Sequence, residues 1–522
     1  MLAIIIIAIS LRLINLGNES LWYDEAFSLG ISKFPVEKII SSTSQDVHPP
    51  FYYILLHYWI NVFGDNDFAL KLMSIFFSII SIIVVYIFVQ RIYNFRVAVI
   101  ASLLLSFSRL DIYYSREVRM YTLIALLTLI SMICLYFYFE KKKKSYLLIF
   151  AISTTLNLYT HNFALFVFVA QFLLSVFYIV AISFKSNKNL PDNQSTTENT
   201  NGFLNDLISR DLINLSVAFI SIIILFLPWI KVASNQFEIV RYDFWIPETT
   251  ILAFGEIFIE FSGSLYLSLI FLLSYITYLI YNKRIKLSSI TNLPNSLFII
   301  WLVVPVSLPI IFSLTHITAS IFKIRYLLPS LIPFVIIASL VLERILTKSK
   351  KTFIMIFGLI LIFSIQIYIY ENPKKFKERW REISTFIDDN FQKNDVVIFD
   401  VGNEFDKIGG CFTLTQHYLN NDFEYYYINN QKSIELLSKN IDRINNIFYI
   451  QRPPKPINNL LKNLTIEKYV SKDFPELRNF SIRYFFISNY ENDNRDIFLE
   501  KRTESVPIKL IRFERTKAKQ NK

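Results

Sequence analysis

Apolar segments long enough to cross a membrane follow one another through the first 370 residues. A bilayer core about 30 Å thick needs roughly 20 mostly apolar residues in a helix, and eleven stretches approach that length. They lie at 2–16, 68–90, 97–110, 119–139, 145–158, 162–183, 212–230, 264–281, 296–313, 326–342 and 352–370. The chain is 53% hydrophobic, against ~45–50% in soluble domains. We therefore predict a mostly α-helical, polytopic membrane bundle of about eleven spans.

The first of these segments also has some features of a secretory signal. It lacks a basic start and a small-residue cleavage site, and Arg12 interrupts it. Signal peptides carry both a basic start and a small-residue cleavage site. We predict that the segment is retained as a span.

Basic residues cluster in every second connection between the spans. These connections contain Arg91 and Arg96, 141–144, 184–189, 282–286 and 347–351. Lysine and arginine mark cytoplasmic loops, so the alternate loops are predicted to face outward. The net charge of +11 fits this positive-inside pattern, and no basic, aromatic-rich patch indicates nucleic acid. We predict a multi-pass cell-membrane protein whose alternate loops are extracytoplasmic.

With eleven spans, residues 371–522 form an extracytoplasmic domain after a bundle of residues 1–370. Helical patterns at 376–391 and 405–420 alternate with strand patterns at 395–400, 424–428 and 446–450. Such alternation favours a small parallel sheet with helices. No G-x-G-x-x-G motif follows these strands, so the pattern does not indicate a nucleotide site.

The first outer loop, residues 17–67, is unusually long, and long loops are usually functional or disordered. Its segment 48–64 is aromatic and apolar but short, which indicates a helix at the membrane interface, begun by Pro49 and Pro50. Asp24 and Glu25 form an acid pair flanked by Trp22 and Tyr23. A carboxylate near a membrane surface can serve as a general base. The alternative is that the acid pair only marks the polar end of the preceding membrane segment.

The segment 115–123 opens the fourth span with two arginines, Arg116 and Arg119, and their spacing of three predicts one helical face. Arg325 begins the tenth span from the same predicted side. Guanidinium groups bind phosphate in a bidentate manner. Together they predict a cationic site for a lipid phosphate, the alternative being interfacial anchors that extend to the headgroups.

Four of the five histidines, His48, His57, His161 and His316, are predicted at the outer side. Asp46, His48 and His161 are candidates for contacting the acceptor or for holding a divalent metal ion with Glu25. No H-x-x-x-H or H-E-x-x-H spacing supports a metal site, and structural histidines are the alternative. The sequence therefore does not decide whether the protein binds a metal ion or another cofactor.

Several motifs occur in order along the chain: LWYDEAFSL, HPPFYYILLHYW, YYSREVRMYTL, YTHNFALFVFVAQ, RYLLPSLIPF and RWREISTFI. This set resembles the GT-C glycosyltransferases of the protein O-mannosyltransferase and aminoarabinose-transferase type. The resemblance covers residues 11–345 and extends more weakly into the tail.

The resemblance implies an enzyme that moves a sugar from a polyprenyl-phosphate donor to a protein, lipid or glycan acceptor outside the cytoplasm. It places the catalytic base at Asp24, with Glu25 beside it. It places the donor phosphate at Arg116, and less directly at Arg119 and Arg325. The sugar, the acceptor and the carrier, undecaprenyl or dolichyl phosphate, are left open.

Two other functions fit many spans and outward arginines. A transporter or flippase for lipid-linked glycans would not need an aromatic-flanked acid pair, and transporters often show repeated halves or broken helices. A sensor would concentrate its polar residues in the tail, whereas here they lie in the outer loops of the bundle.

Overall fold

The structure, a computed structural model, describes most of the 522 residues. They are residues 1–188, 194–242, 246, 248–281, 293–315, 318–371, 380–401, 411–419, 422–427, 431–440, 443–452, 480–487 and 509–515. His316 and the basic loop at 282–286 lie outside these residues. The described chain divides into two compact units. We call Met1–Ile14, Pro35–Gly64 and Ala69–Asn372 the bundle unit, and Asn15–Phe34, Asp65–Phe68 and Pro373–Lys522 the tail unit.

Helices make up the chain as far as residue 371. The first nine are α1 Leu2–Leu13, α2 Tyr23–Ser32, α3 Val36–Thr43, α4 Phe51–Phe63, α5 Asp67–Ile92, α6 Phe95–Ser106, α7 Arg109–Ser115, α8 Tyr121–Lys141 and α9 Lys144–Leu158. The next seven are α10 Ala164–Lys188, α11 Gln194–Tyr242, α12 Ala253–Ser262, α13 Leu265–Tyr281, α14 Leu293–Leu314, α15 Leu328–Lys348 and α16 Lys350–Glu371, with a 3₁₀ turn at Ile324–Leu327.

Among the described residues, seven helices are long and apolar enough to span a membrane, or eight if the bent pair α12–α13 is one span. The prediction of a multi-pass membrane protein is confirmed, but the count of eleven is not. Helices α1 and α6 have 12 residues and α9 has 15. At 1.5 Å per residue they reach only about 18–23 Å, short of a bilayer core.

Burial separates central helices from peripheral ones. Helix α8 is apolar on all sides, and 83% of its most apolar 18 residues are buried. In helix α16, which is equally apolar, only 11% of the corresponding residues are buried. A helix that is apolar all round either packs in a core or faces lipid. Helix α8 packs against α9 and α15, so it lies in the core of the bundle unit, while α16 has the pattern of a lipid-facing helix.

The first outer loop is helical in three places, α2, α3 and α4. Helix α4 begins directly after Pro50 and ends at Gly64, whose φ of +82° is a conformation that glycine adopts readily. The helix predicted at 48–64 is therefore confirmed. Helix α2 belongs to the tail unit, and α3 and α4 belong to the bundle unit.

The tail unit holds a mixed α/β layer. Its helices are α17 Trp380–Asn390, α18 Cys411–Tyr418 and α19 Gln431–Asn440, and its strands are β1 Val396–Val401, β2 Glu424–Tyr427, β3 Asn446–Arg452, β4 Phe480–Ile487 and β5 Lys509–Arg515. The strand order is β2-β1-β3-β5-β4. Strands β2, β1 and β3 are parallel, as predicted, and β5 pairs antiparallel with both β3 and β4.

Candidate active site

The turn between α3 and α4 carries Asp46 and His48. Gln236 of α11 donates to the main-chain carbonyls of Thr43 and Asp46, at 3.0 and 2.7 Å. Asn162 donates to the carbonyl of Val47 at 3.0 Å. The carbonyl of Thr43 also accepts the N–H of Asp46 within the turn, so the amide side chains add to the hydrogen bonding of the turn itself. The turn is thus held in one position by two other segments of the bundle unit.

His48 connects a carboxylate to a guanidinium. Its Nδ1 lies 3.2 Å from Oδ2 of Asp46, and its Nε2 lies 3.3 Å from a terminal nitrogen of Arg119. Because a guanidinium only donates, Nε2 accepts and Nδ1–H donates to Asp46. Burial alone would raise the pKa of Asp46, but the hydrogen bond from His48 and the charge of Arg119 lower it overall. Asp46 and His48 therefore orient Arg119.

His161 is fully enclosed beside this group. Its ring centroid lies 5.3 Å from that of His48 and 4.8 Å from that of Tyr326. Its Nδ1 accepts the N–H of Phe163 at 3.0 Å, so the proton of the neutral ring is on Nε2. Nε2 has no hydrogen-bond partner among the residues that the structure describes. This nitrogen is a buried donor suited to an oxygen of a ligand.

The charge state of His161 follows from its surroundings. Burial, and then the positive charges of Arg119 and Arg325, lower its pKa well below the ordinary value of 6.5. Both effects disfavour the imidazolium form. His161 is therefore neutral at physiological pH.

Arg325 lies in the 3₁₀ turn that precedes α15 and is almost completely buried. Its guanidinium carbon lies 5.8 Å from the ring centroid of Tyr121 and 5.4 Å from that of Tyr326. Aromatic faces stabilise a desolvated guanidinium. The structure thus gathers Asp46, His48, Arg119, His161 and Arg325, which the sequence had predicted from separate segments. We call these five residues the basic cluster.

The prediction that Arg116 and Arg119 share one helical face is wrong. Residues 116–120 form turns and bends between α7 and α8. The Ser74 hydroxyl donates to the carbonyls of Glu117 and Arg119, at 2.5 and 3.3 Å, so these carbonyls are satisfied outside a helix. Arg116 donates instead to the main-chain carbonyl of Ile14, at the end of α1.

The donor set of Asp46, His48 and His161 does not fit a metal ion. Both ring nitrogens of His48 are engaged, and Nδ1 of His161 accepts an amide. A metal ligand must offer a lone pair, so binding through these histidines would require the loss of those hydrogen bonds. Over the described part of the chain, no group of three or more acidic, histidine or cysteine side chains could hold a metal ion.

Asp24 and Glu25 lie in the first turn of α2, in the tail unit. Glu25 is buried, and its Oε2 accepts the N–H of Trp22 at 3.1 Å, the capping role of an acid at the third helical position. Asp24 is only partly buried. Neighbouring residues on a helix point about 100° apart, so the two carboxylates have different surroundings.

Comparison with known proteins gives a fold and a family resemblance. The profile of the family described as dolichyl-phosphate-mannose-protein mannosyltransferase matches residues 47–190, which include His48, Arg119 and His161. ArnT from Cupriavidus metallidurans in the apo state aligns with a TM-score of 0.56 at 11% identity, covering 87% of this chain and 92% of that chain.

The chain has the fold of the GT-C glycosyltransferases. The structure of ArnT bound to undecaprenyl phosphate also aligns, with a TM-score of 0.55 at 10% identity over 98% of this chain and 97% of that chain. The apo oligosaccharyltransferase of Archaeoglobus fulgidus aligns with a TM-score of 0.50 at 10% identity, covering 93% of this chain and 72% of that chain. No curated protein sequence matches the chain. The resemblance inferred from the motifs and the predicted fold class are confirmed.

Four residues around the basic cluster of this GT-C fold were not singled out from the sequence. They are Tyr121, Asn162, Gln236 and Tyr326. Tyr121, Asn162 and Tyr326 each lie within one or two residues of a predicted arginine or histidine, and that adjacency was the available signal. Gln236 lies in an apolar helix without a motif around it, so only the folded structure associates it with Asp46.

Proposed function

We propose that this protein is a membrane glycosyltransferase that moves a sugar from a polyprenyl-phosphate donor to a hydroxyl group of a protein, lipid or glycan acceptor, on the extracytoplasmic side. The observation that carries the proposal is the basic cluster, in which Arg119, Arg325 and the Nε2–H of His161 are buried together. Buried guanidinium groups are suited to a phosphate, because they bind it strongly where water is excluded.

The proposed reaction is a single displacement. Asp24 takes the proton of the acceptor hydroxyl, and the oxygen attacks the anomeric carbon of the donor. The bond between that carbon and the phosphate oxygen breaks, and polyprenyl phosphate leaves with the electron pair. A new glycosidic bond forms with inverted configuration. A retaining reaction would need a second carboxylate as the nucleophile, and Glu25 caps its own helix instead.

The basic cluster would contribute mainly by electrostatic stabilisation. Negative charge develops on the departing phosphate, and groups positioned for that charge are often the largest catalytic contribution. Arg119 is held by His48, and Arg325 lies against two tyrosine rings. Both guanidiniums are therefore oriented before a donor binds, which reduces the reorganisation required in the reaction.

The decisive experiment measures sugar transfer by the purified chain in lipid nanodiscs, with a polyprenyl-phosphate sugar as donor. Asp24→Asn should lower turnover by about 10²–10⁴-fold, the usual contribution of a general base. The matched control is Glu37→Gln, because Glu37 is an exposed acid in α3 of the same loop. Near-normal transfer by Asp24→Asn would overturn the assignment of the base. Transfer by the unchanged chain separates an enzyme from a transporter.

A further inference from the structure

The short segment that leads into α2 is bound by residues of the C-terminal half of the same unit. Tyr418, at the end of α18, accepts the N–H of Leu21 at 2.7 Å through its hydroxyl. Arg381 of α17 donates to the carbonyl of Gly17 at 2.7 Å. The N–H of Trp380 donates to the Ser20 hydroxyl at 3.2 Å. Three contacts therefore hold residues 17, 20 and 21 shortly before α2, whose first turn contains Asp24.

One carboxylate, that of Asp67, accepts hydrogen bonds from two of the side chains that make these contacts, Arg381 and Tyr418. Asp67 Oδ2 accepts from Tyr418 at 2.7 Å and from Arg381 at 2.5 Å, and its Oδ1 accepts from His417 Nε2 at 2.9 Å. The side chain of Asp67 is only 11% exposed. Ionised acceptors make shorter and stronger hydrogen bonds than neutral ones, so Asp67 fixes the two side chains that bind residues 17 and 21.

The charges of the group match this arrangement. Burial would lower the pKa of Arg381, but the hydrogen bond and charge of Asp67 raise it overall, so the guanidinium stays charged. Burial, and then the charge of Asp67, raise the pKa of Tyr418, so its hydroxyl keeps the proton that it donates. Arg381 and Tyr418 therefore both carry the proton that they donate to Asp67.

We propose that Asp67, Arg381 and Tyr418 are positioning residues: they clasp residues 17–21 and thereby fix the start of α2 and the placement of Asp24. The inference rests on the proposed role of Asp24 as the base. It assigns the C-terminal domain a part in the reaction, because two of the three residues come from it. Displacement of a catalytic group by 1 Å can lower a rate by about 10²-fold, so a loosened clasp should slow turnover.

The test compares Asp67→Asn and Tyr418→Phe with Asp65→Asn in the full chain. Asp65 is the matched control because it pairs with Lys33 at 2.8 Å in the same unit, with both side chains nearly half exposed. Exposed pairs contribute little to stability. Hydrogen exchange of residues 18–32 and the kinetics of transfer are measured for each variant.

We expect faster exchange of residues 18–32 and a turnover lowered at least tenfold, with the donor KM within twofold of the unchanged chain. Asp65→Asn should change neither quantity. Unchanged exchange in both clasp variants would overturn the clasp, and faster exchange with normal turnover would overturn its positioning role. Normal turnover by Asp24→Asn would instead overturn the base, and the exchange results would still decide whether the clasp exists.

Discussion

At the scale of single residues, the basic cluster depends on which nitrogen of each histidine carries the proton. His48 donates from Nδ1 to Asp46 and accepts from Arg119, whereas His161 accepts at Nδ1 and presents Nε2–H. The two histidines therefore have opposite tautomers although their ring centroids are 5.3 Å apart. His48 orients a cation, and His161 offers a hydrogen bond to a ligand.

The lowered pKa of His161 predicts how stability depends on pH. The unfolded chain binds a proton at this residue below about pH 6.5, while the folded chain does not, so stability falls as the pH decreases through that value. The loss amounts to at most about 1.4 kcal/mol between pH 6.5 and 5.5. The lowered pKa of Asp46 acts only at more acidic pH, because its ordinary value is 3.8.

Thermal unfolding in detergent between pH 7.5 and 5.5 checks this prediction. His161→Gln cannot titrate, so its Tm should fall less on acidification than that of the unchanged chain. His57→Gln is the control, because His57 is only partly buried and contacts Asn61 within the same helix. Equal pH slopes for the unchanged chain and His161→Gln would contradict the prediction.

Glu25 can be tested separately from Asp24. Glutamine keeps an oxygen that can accept the N–H of Trp22, whereas alanine does not. If capping is its role, Glu25→Ala should lower stability by about 1 kcal/mol, and Glu25→Gln should keep both the stability and most of the transfer activity. A large loss of turnover in Glu25→Gln at normal stability would show instead that the carboxylate charge takes part in the reaction.

At the scale of elements, a buried ion pair fastens the short helix α1. Arg12 pairs with Asp111 of α7, and Ser78 of α5 accepts from Arg12 at 2.9 Å and donates to Asp111 at 2.6 Å. Arg12 also donates to the carbonyl of Ser106 at 3.3 Å. Helix α1 has 12 residues and is too short to cross a bilayer core. These contacts join it to three neighbouring helices, α5, α6 and α7.

Removal of one partner of this pair should be strongly destabilising. A buried charge without its partner costs about 3–5 kcal/mol, while replacement of both partners by apolar side chains is often neutral. We therefore expect Arg12→Met or Asp111→Leu to lower the Tm sharply, and the double variant to recover most of the loss. Arg96→Met, at an exposed position at the start of α6, is the control. A double variant no more stable than the single ones would contradict the ion-pair explanation.

The sequence predicted which elements exist better than where they end. Long apolar runs and Pro50 were sufficient for α5, α8 and α4, because burial and a fixed proline φ are local properties. The break at residues 116–120 was missed, since it depends on Ser74, which is distant in the sequence. The basic cluster was predicted residue by residue, but the clasp on residues 17–21 was not. It joins segments about 360–400 residues apart.

At the scale of the whole molecule, the number of spans determines on which side of the membrane each end of the chain lies. Eleven spans predict an extracytoplasmic tail. Among the described residues there are seven or eight long apolar helices, so the side of the tail depends on whether the shorter helices α1, α6 and α9 also cross the membrane. The basic connections at 141–144 and 347–351 give an independent indication, since such loops are cytoplasmic. The proposed reaction uses Asp24 of the tail unit, so it requires that unit to lie outside.

Cysteine labelling in intact cells tests this arrangement. Lys143→Cys and Lys350→Cys are exposed positions in the basic connections, and Lys439→Cys is exposed on α19 of the tail unit. In a chain with Cys134 and Cys411 replaced by alanine, a membrane-impermeant maleimide should label Lys439→Cys alone, and a permeant maleimide should label all three. Impermeant labelling of Lys143→Cys or Lys350→Cys, or protection of Lys439→Cys until the cells are opened, would reverse the orientation. An extracytoplasmic reaction at Asp24 would then be excluded.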